Sequence, residues 1–240
     1  MKQAYAFFDV DGTLLRGKSM FDFHDYWYLK WTAPDSLAIR HEHEDIRAIL
    51  DGLIEHGAPR ELVNRRYYEF FAGRQVSAVT RCAEAWAEEA LRNPAFFIEP
   101  VCERLHALHA KGIEPVFVSG SFVELLRPIA ARLGVGHILA TRLVKDGAKY
   151  NGRLQQPQTI GVGKMLAMER FLAEHEASAG DCWAFGDDIS DVPMLEAVGQ
   201  AVAVIGDPTL AAAAKRRGWE CVDLDADERV TESQALVAAA

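Results

Sequence analysis

An apolar run at residues 4–8, Ala4-Tyr5-Ala6-Phe7-Phe8, has the length and composition of a strand and ends abruptly in Asp9-Val10-Asp11-Gly12-Thr13. A strand interior would point Asp9 and Asp11 to one face. Placed where the strand runs out, both carboxylates lean over its C-terminal end, which is where open α/β sheets bind ligands. Gly12 lets the chain leave the strand with backbone amides exposed, and Thr13 adds a hydroxyl. Two carboxylates this close repel unless a cation lies between them, so the stretch calls for a hard metal with oxygen ligands, Mg²⁺ first among them. Asp-Gly also marks tight hairpin turns, a reading that the rest of the chain disfavours.

The remainder divides by pattern. Residues 19–31 carry aromatics at helical spacings, with Ser19 read as the N-cap, and Pro34-Asp35 breaks the pattern. Further helical patterns cover 36–56, 60–71 and 76–91, closed by Gly57 and Pro59 and by Asn93-Pro94. Four helices placed directly after the first strand read as a separate helical lobe. From Pro100 the pattern alternates: a helix to Ala110, a buried strand at 113–118, then Ser119-Gly120-Ser121 opening a helix to Leu133. A short strand at 138–140 follows, then a hairpin at 142–154 around Asp146-Gly147 and a helix at 162–175. Next come a strand at 182–185, a helix at 191–198 and a strand at 201–205. A helix capped by Asp207-Pro208 runs to Arg217, before a last strand at 219–222. Such alternation predicts an α/β fold: a Rossmann-like, doubly wound parallel sheet with helices on both faces and an inserted α-helical cap. The expected division is a catalytic core of residues 1–15 and 98–240 and a cap of 16–97.

Bulk properties set limits. With 240 residues, half of them hydrophobic and a quarter charged, the chain can build a proper core. A formal charge of −9 argues against general nucleic-acid binding but leaves an anionic small substrate open. No window is long and uncharged enough to span a bilayer, and the N-terminus lacks a signal-peptide pattern. Cys82, Cys102, Cys182 and Cys221 are scattered without zinc spacing, and read as small buried residues of a reduced, cytoplasmic protein. A monomer or a homodimer is expected. The tail ending Leu236-Val237-Ala238-Ala239-Ala240 reads as a frayed helix.

Three more clusters fall at strand ends or helix starts. Val118-Ser119-Gly120-Ser121 combines small polar residues with a helix start, which suits a phosphate cradle and equally an ordinary N-cap. Lys164, in Gly161-Val162-Gly163-Lys164, stands near a helix N-terminus where a cation is unfavourable, hinting at an anion beside it. Taken alone it reads as a surface lysine. Gln158 and Met165 stand where a Walker loop needs Gly and Ser/Thr. Gly186-Asp187-Asp188-Ile189-Ser190-Asp191 crowds three carboxylates at a strand end. Helix capping cannot account for all three, so a cation shared with Asp9 and Asp11 is the better account.

Together these four clusters give the sequence its resemblance to the haloacid dehalogenase superfamily, within the branch of phosphoserine phosphatases. The signatures Asp9-x-Asp11-Gly12-Thr13, Ser119, Lys164 and Gly186-Asp187-x-x-x-Asp191 occur in order over almost the whole chain, and the helical insertion matches that branch's cap. The resemblance implies Asp9 as nucleophile and Asp11 as general acid and base. It implies Lys164 as the balancing cation, with Thr13, Ser119 and the Gly120 amide around the phosphate. Mg²⁺ is implied on Asp9, the Asp11 carbonyl and Asp187, with Asp191 in support. A carboxylate at Asp11 favours phosphate esters over carbon–halogen or carbon–phosphorus substrates, whose cleavage yields no alkoxide needing that proton.

The expected partner is a small phosphorylated metabolite. Phosphoserine phosphatases carry a glutamate roughly where Lys18 stands to receive the substrate ammonium. Lys18 would repel an ammonium and favour a carboxylate or second phosphate. Among Phe21, Phe23, Tyr26, Trp27 and Tyr28, one or two are expected to reach substrate and the others to pack in the core. Arg65 and Arg66 read as a charged helix face more than as anion contacts. His41-Glu42-His43-Glu44 lacks His-Glu-x-x-His spacing and reads as solvated surface. Phosphotransfer to an acceptor alcohol, a signalling receiver and a non-catalytic binding protein are the alternatives to a phosphatase. Receivers lack the insertion, and intact catalytic positions disfavour the last.

Overall fold

A computed structural model of the chain describes residues 3–33, 35–206 and 208–224. In chain order the elements are β1 (Tyr5–Phe8), α1 (Ser19–Tyr26), α2 (Leu37–Glu55), α3 (Arg60–Glu69), α4 (Val76–Ala90), α5 (Glu99–Ala110), β2 (Glu114–Phe122), α6 (Val123–Leu133) and β3 (His137–Thr141). There follow β4 (Leu143–Asp146), β5 (Lys149–Leu154), α7 (Val162–Glu174), β6 (Trp183–Gly186), α8 (Val192–Glu196), β7 (Gln200–Ile205), α9 (Pro208–Arg217) and β8 (Glu220–Asp223). Six strands form one sheet in the order β3-β2-β1-β6-β7-β8, every pair parallel, with β4–β5 a separate antiparallel hairpin. The order reverses between β1 and β6, a topological switch point of the doubly wound fold.

Both faces of the sheet are buried, as an all-parallel sheet requires. Ala6 and Phe8 face a cluster with Phe117, Phe185 and Val202, covered by α5 and α6 through Leu105, Leu125 and Ile129. Tyr5 and Phe7 face the other side with Val116 and Ala184, covered by Met168 and Phe171 of α7, Leu195 of α8 and Leu210 of α9. Phe8 stacks on Phe185 with ring centroids 4.3 Å apart. These contacts bring the C-terminal ends of β1 and β6 side by side.

The inserted helices α1–α4 share one continuous apolar cluster with the first of these faces, reaching from Phe8 through Phe122 and Phe23 to Tyr67, Tyr68 and Trp86. The insertion is also tied to the β4–β5 hairpin by backbone bonds from Gly73 N–H to the Tyr150 carbonyl and from Val76 N–H to the Ala148 carbonyl. The inserted helices and this face of the sheet thus share one apolar cluster.

Local differences have identifiable causes. Ser19 is the first residue of α1, not its N-cap, because its N–H is taken by the Asp11 carboxylate at 2.9 Å. That helix ends at Tyr26 and continues as a π-helical turn, Trp27–Trp31. β2 runs on to Phe122, so Ser119, Gly120 and Ser121 belong to the strand. Pairing with β3 shifts register between Ser119 and Phe122, and this irregularity absorbs the glycine and Ser121 before α6 begins. Cys221 is exposed, contrary to the buried reading, while Cys82, Cys102 and Cys182 are buried; all four are free thiols. Pro34, Asp207 and the tail at 236–240 lie outside the described residues. Among the described residues, no helix is long and apolar enough to cross a membrane.

Candidate active site

Beyond Phe8 the chain turns sharply: the Asp9 N–H bonds the Phe185 carbonyl at 2.9 Å, and the amides of Thr13, Leu14 and Leu15 all return to the Val10 carbonyl. Asp9 and Asp11 are buried at this turn. Gly12 makes the turn possible. Its φ is +98°, and a Cβ there would meet Asp187 Oδ2 at 2.2 Å. From the other side of the turn, Thr13 donates its hydroxyl to Asp187 Oδ1 at 3.0 Å.

Lys164 is buried, not on the surface, and its ammonium lies 2.7 Å from Asp9 Oδ1 and 2.6 Å from Asp191 Oδ1. The backbone holds it there: Gly163 packs so closely on the Gln158 carbonyl that a Cβ would come within 1.7 Å of that oxygen. Burial would lower the Lys164 pKa, but Asp191 and then Asp9 outweigh it and hold the lysine charged. At Asp9, burial is likewise outweighed by Lys164, so its carboxyl stays below the ordinary range. Asp11, two residues on, moves the other way: burial raises it, against hydrogen bonds from Ser19.

Asp9, Asp187 and Asp191 each present an oxygen within 4.8 Å of the others. Asp187 is pushed up to about 7, first by burial and then by the Asp9 charge, as expected for carboxylates with too little positive charge among them. Lys18 partly answers this, its ammonium donating to the Asp11 carbonyl at 2.8 Å and lying 3.7 Å from Asp187 Oδ2. A cation is thus already drawn to the Asp11 carbonyl and Asp187. Together with Asp9 they form an all-oxygen donor set that fits Mg²⁺.

Of these groups, Asp9, Asp11, Lys18 and Lys164 form the floor of a cavity of about 380 Å³, with Ser119 and Gly120 beside them. Its walls are apolar, from Met20, Phe21, Ile54, Val63 and Ile160. Of the five aromatics considered from sequence, Phe21 lines the cavity; Phe23, Trp27 and Tyr28 are buried in the core, and Tyr26 packs partly buried against it. Another cavity, of about 510 Å³, lies between β3 and α7 and is lined by none of the aspartates of this site.

Arg60, at the start of α3, stands over the floor and was not singled out from sequence. Its guanidinium pairs with Asp188 Oδ1 at 2.7 Å and donates to Ser190 Oγ at 3.0 Å. Asp188 is consequently not part of the acidic cluster. Its side chain accepts from the Ser190 N–H in a capping box with Asp191. That bond and Arg60 outweigh burial and hold it at about 2. Asn64, one turn along α3, donates to the Gly120 carbonyl at 2.9 Å, and the Tyr68 hydroxyl does so at 3.2 Å. Helical spacing from Arg60 to Asn64 and Tyr68 is the signal that could have marked this face. Arg66 pairs with Glu69 on the exposed side, and Arg65 is exposed. His43 departs from the solvated reading: it is mostly buried against Asp25.

The haloacid dehalogenase-like hydrolase family model matches residues 6–196. A probable phosphatase of Mycobacterium tuberculosis is 29% identical over 214 residues, covering 89% of this chain and 73% of that protein. A phosphoserine phosphatase of the same organism is 30% identical over 232 residues, covering 92% and 70%. Among solved structures, a Bordetella pertussis protein of unknown function superposes with a TM-score of 0.79 at 26% identity over 93% of this chain and 100% of that one. A phosphoserine phosphatase solved as a phospho-aspartyl intermediate analogue gives 0.63 at 19% over 92% and 94%, a likeness of fold. With the four signatures gathered at the switch point of a parallel sheet, the chain belongs to the haloacid dehalogenase-like hydrolase family.

Proposed function

We propose that this protein is a Mg²⁺-dependent phosphatase of a small phosphomonoester, working through an aspartyl-phosphate on Asp9. The observation that carries the reading is the split between two neighbouring buried carboxyls: Lys164 holds Asp9 ionised, while burial favours the protonated form of Asp11. Pairs of titratable groups pushed apart in this way mark nucleophile and acid roles. An Asp9 oxygen attacks phosphorus as the ester P–O bond breaks, and Asp11 gives its proton to the departing alkoxide. Asp11 then takes a proton from water as that water attacks the aspartyl-phosphate, releasing phosphate and restoring Asp9. Ser119, the Gly120 amide and Thr13 are assigned to the phosphoryl oxygens and their surroundings, and Lys164 offsets charge on nucleophile and phosphate. Mg²⁺ would be held by Asp9, the Asp11 carbonyl and Asp187, with Asp191 in support, and supplies charge neutralisation to the phosphoryl group. Unaided phosphomonoester hydrolysis is among the slowest of reactions, with enzymatic accelerations up to about 10²¹, so several such contacts are expected on one group.

Residues 16–97 are assigned as cap and 1–15 with 98–240 as core, an arrangement in which the cap reads the organic part of the substrate. Support comes from the cavity, walled by Met20, Phe21, Ile54 and Val63 above the carboxylate floor. Lys18 and Arg60 put positive charge at the cavity. We therefore assign an acidic or neutral ester with an apolar part, and not phosphoserine, whose ammonium would meet Lys18. Membership of a hydrolase family favours water over an alcohol as acceptor.

The test is phosphate release from a panel pairing amino-bearing esters (phosphoserine, histidinol phosphate) with acidic ones (phosphoglycolate, sugar phosphates), in Mg²⁺ and in EDTA. Release is expected in Mg²⁺ alone, lost in Asp9→Asn, and greater for acidic than for amino esters. No release from any ester with Mg²⁺ present overturns the phosphatase reading, and preference for amino esters overturns the role given to Lys18.

A further inference from the structure

Away from the carboxylate floor, α1 and α2 bring together a second group of metal-ligating side chains. His43 Nε2 lies 2.7 Å from Asp25 Oδ1, and His24 Nδ1 lies 3.6 Å from the same oxygen. One donor atom from each residue falls within 4.8 Å of the other two. The two imidazoles are stacked, with ring centroids 5.0 Å apart. His24 is the informative member. It is 4% exposed, yet neither of its ring nitrogens has a hydrogen-bond partner. Buried polar atoms are normally satisfied, and an orphaned pair in one ring needs a reason.

We propose that His24, Asp25 and His43 form a binding site for a borderline transition-metal ion of the Zn²⁺ class, separate from the oxygen-donor site at Asp9 and Asp187. Two imidazoles and one carboxylate match the donor preference of Zn²⁺ and related ions, whereas Mg²⁺ takes oxygen ligands. Tetrahedral Zn²⁺ with bonds of about 2.0–2.2 Å sets its ligand atoms about 3.3 Å apart. The two separations to Asp25 Oδ1, 2.7 and 3.6 Å, lie on both sides of that value, so side-chain rearrangement within the cluster brings the three donors to a ligand set. Binding replaces the His43–Asp25 hydrogen bond: the ring takes the tautomer with its single proton on Nδ1, by exchange with solvent, and the Nε2 lone pair turns to the metal. Asp25 is half-exposed, providing an entry path and a position for water. The charges around the cluster are Asp22 and Arg47, of opposite sign.

The site would join α1, which carries Met20 and Phe21 into the active-site cavity, to α2, which carries Ile54. Its metal would therefore act as a tie within the wall of that cavity and take no part in the chemistry. The tie stands whether or not the phosphatase reading does.

The test uses the full chain, stripped with EDTA, desalted and held in excess Mg²⁺ to occupy the oxygen site. Zn²⁺ is then titrated against a chromogenic chelator, with thermal unfolding followed in parallel. One equivalent is expected to bind and to raise Tm. His43→Gln, made at the more accessible of the two histidines to spare the fold, is expected to weaken binding by more than about tenfold, since even outer-shell losses cost about 10–100-fold. The Zn²⁺-dependent rise in Tm should disappear with it, while Tm in EDTA matches the wild type. Asp187→Asn should keep the equivalent. No equivalent bound in excess Mg²⁺, binding unchanged in both His43→Gln and Asp25→Asn, or loss in Asp187→Asn would each overturn the proposal.

Discussion

Lys164 shows how much one residue can carry. It is the cation between two buried carboxylates, Asp9 and Asp191, and removing one partner of a buried pair leaves charge uncompensated. Lys164→Met is expected to cost about 3–5 kcal/mol in urea unfolding at pH 7.5 in EDTA. The deficit should shrink as the pH is lowered. Burial already pushes Asp191 up, and Lys164 is what restrains it. Without the lysine, a carboxyl whose folded pKa lies above its unfolded value favours folding at low pH and loses that contribution as the pH rises. A deficit that is constant from pH 5 to pH 8 would argue against this account. The thiols offer a second check. Cys82 and Cys102 are pushed up to about 12 by burial, Cys182 is raised by the same cause, and Cys221 is exposed. Native protein treated with a thiol-specific chromophore at pH 8 should therefore release one equivalent quickly, and four only after denaturation.

Elements position these residues through close backbone contacts. α7 begins where it does because Gly163 sits against the Gln158 carbonyl. Gly163→Ala forces that contact apart and, as overpacking does, is expected to cost about 1–3 kcal/mol. Activity should fall more than stability alone explains, because Lys164 is the next residue; chemical denaturation and phosphate-release assays on one preparation separate the two. Element type and order were largely legible in the sequence, because periods of 2 and 3.6 are local properties of the chain. The Ser119-Gly120-Ser121 stretch was less so. Small polar residues read as a helix start, whereas pairing with β3 carries the strand on to Phe122. That partner lies elsewhere in the chain, so no local pattern announces it.

At the scale of the molecule, the switch point between β1 and β6 collects acidic oxygens whose mutual repulsion a bound divalent cation would relieve. Mg²⁺ that binds only the folded state stabilises it by about 2.7 kcal/mol at a hundred times its Kd. For a chain of this size that corresponds to a rise of about 5–10 °C in Tm. Thermal unfolding in Mg²⁺ and in EDTA should show this rise for the wild type and not for Asp187→Asn. The amino-acid sequence by itself determined the strand-to-carboxylate turn at Asp9, the alternation that builds a parallel sheet, and the family, since each is written in neighbouring residues or in ordered motifs. Only the tertiary structure decided that Lys164 is buried between two aspartates, and that Arg60 takes Asp188 out of the acidic cluster. It alone set His24 and His43 face to face. The partners in these contacts are separated along the chain by 19 to 155 residues. Their meeting depends on how helices and strands pack, which no local spacing encodes.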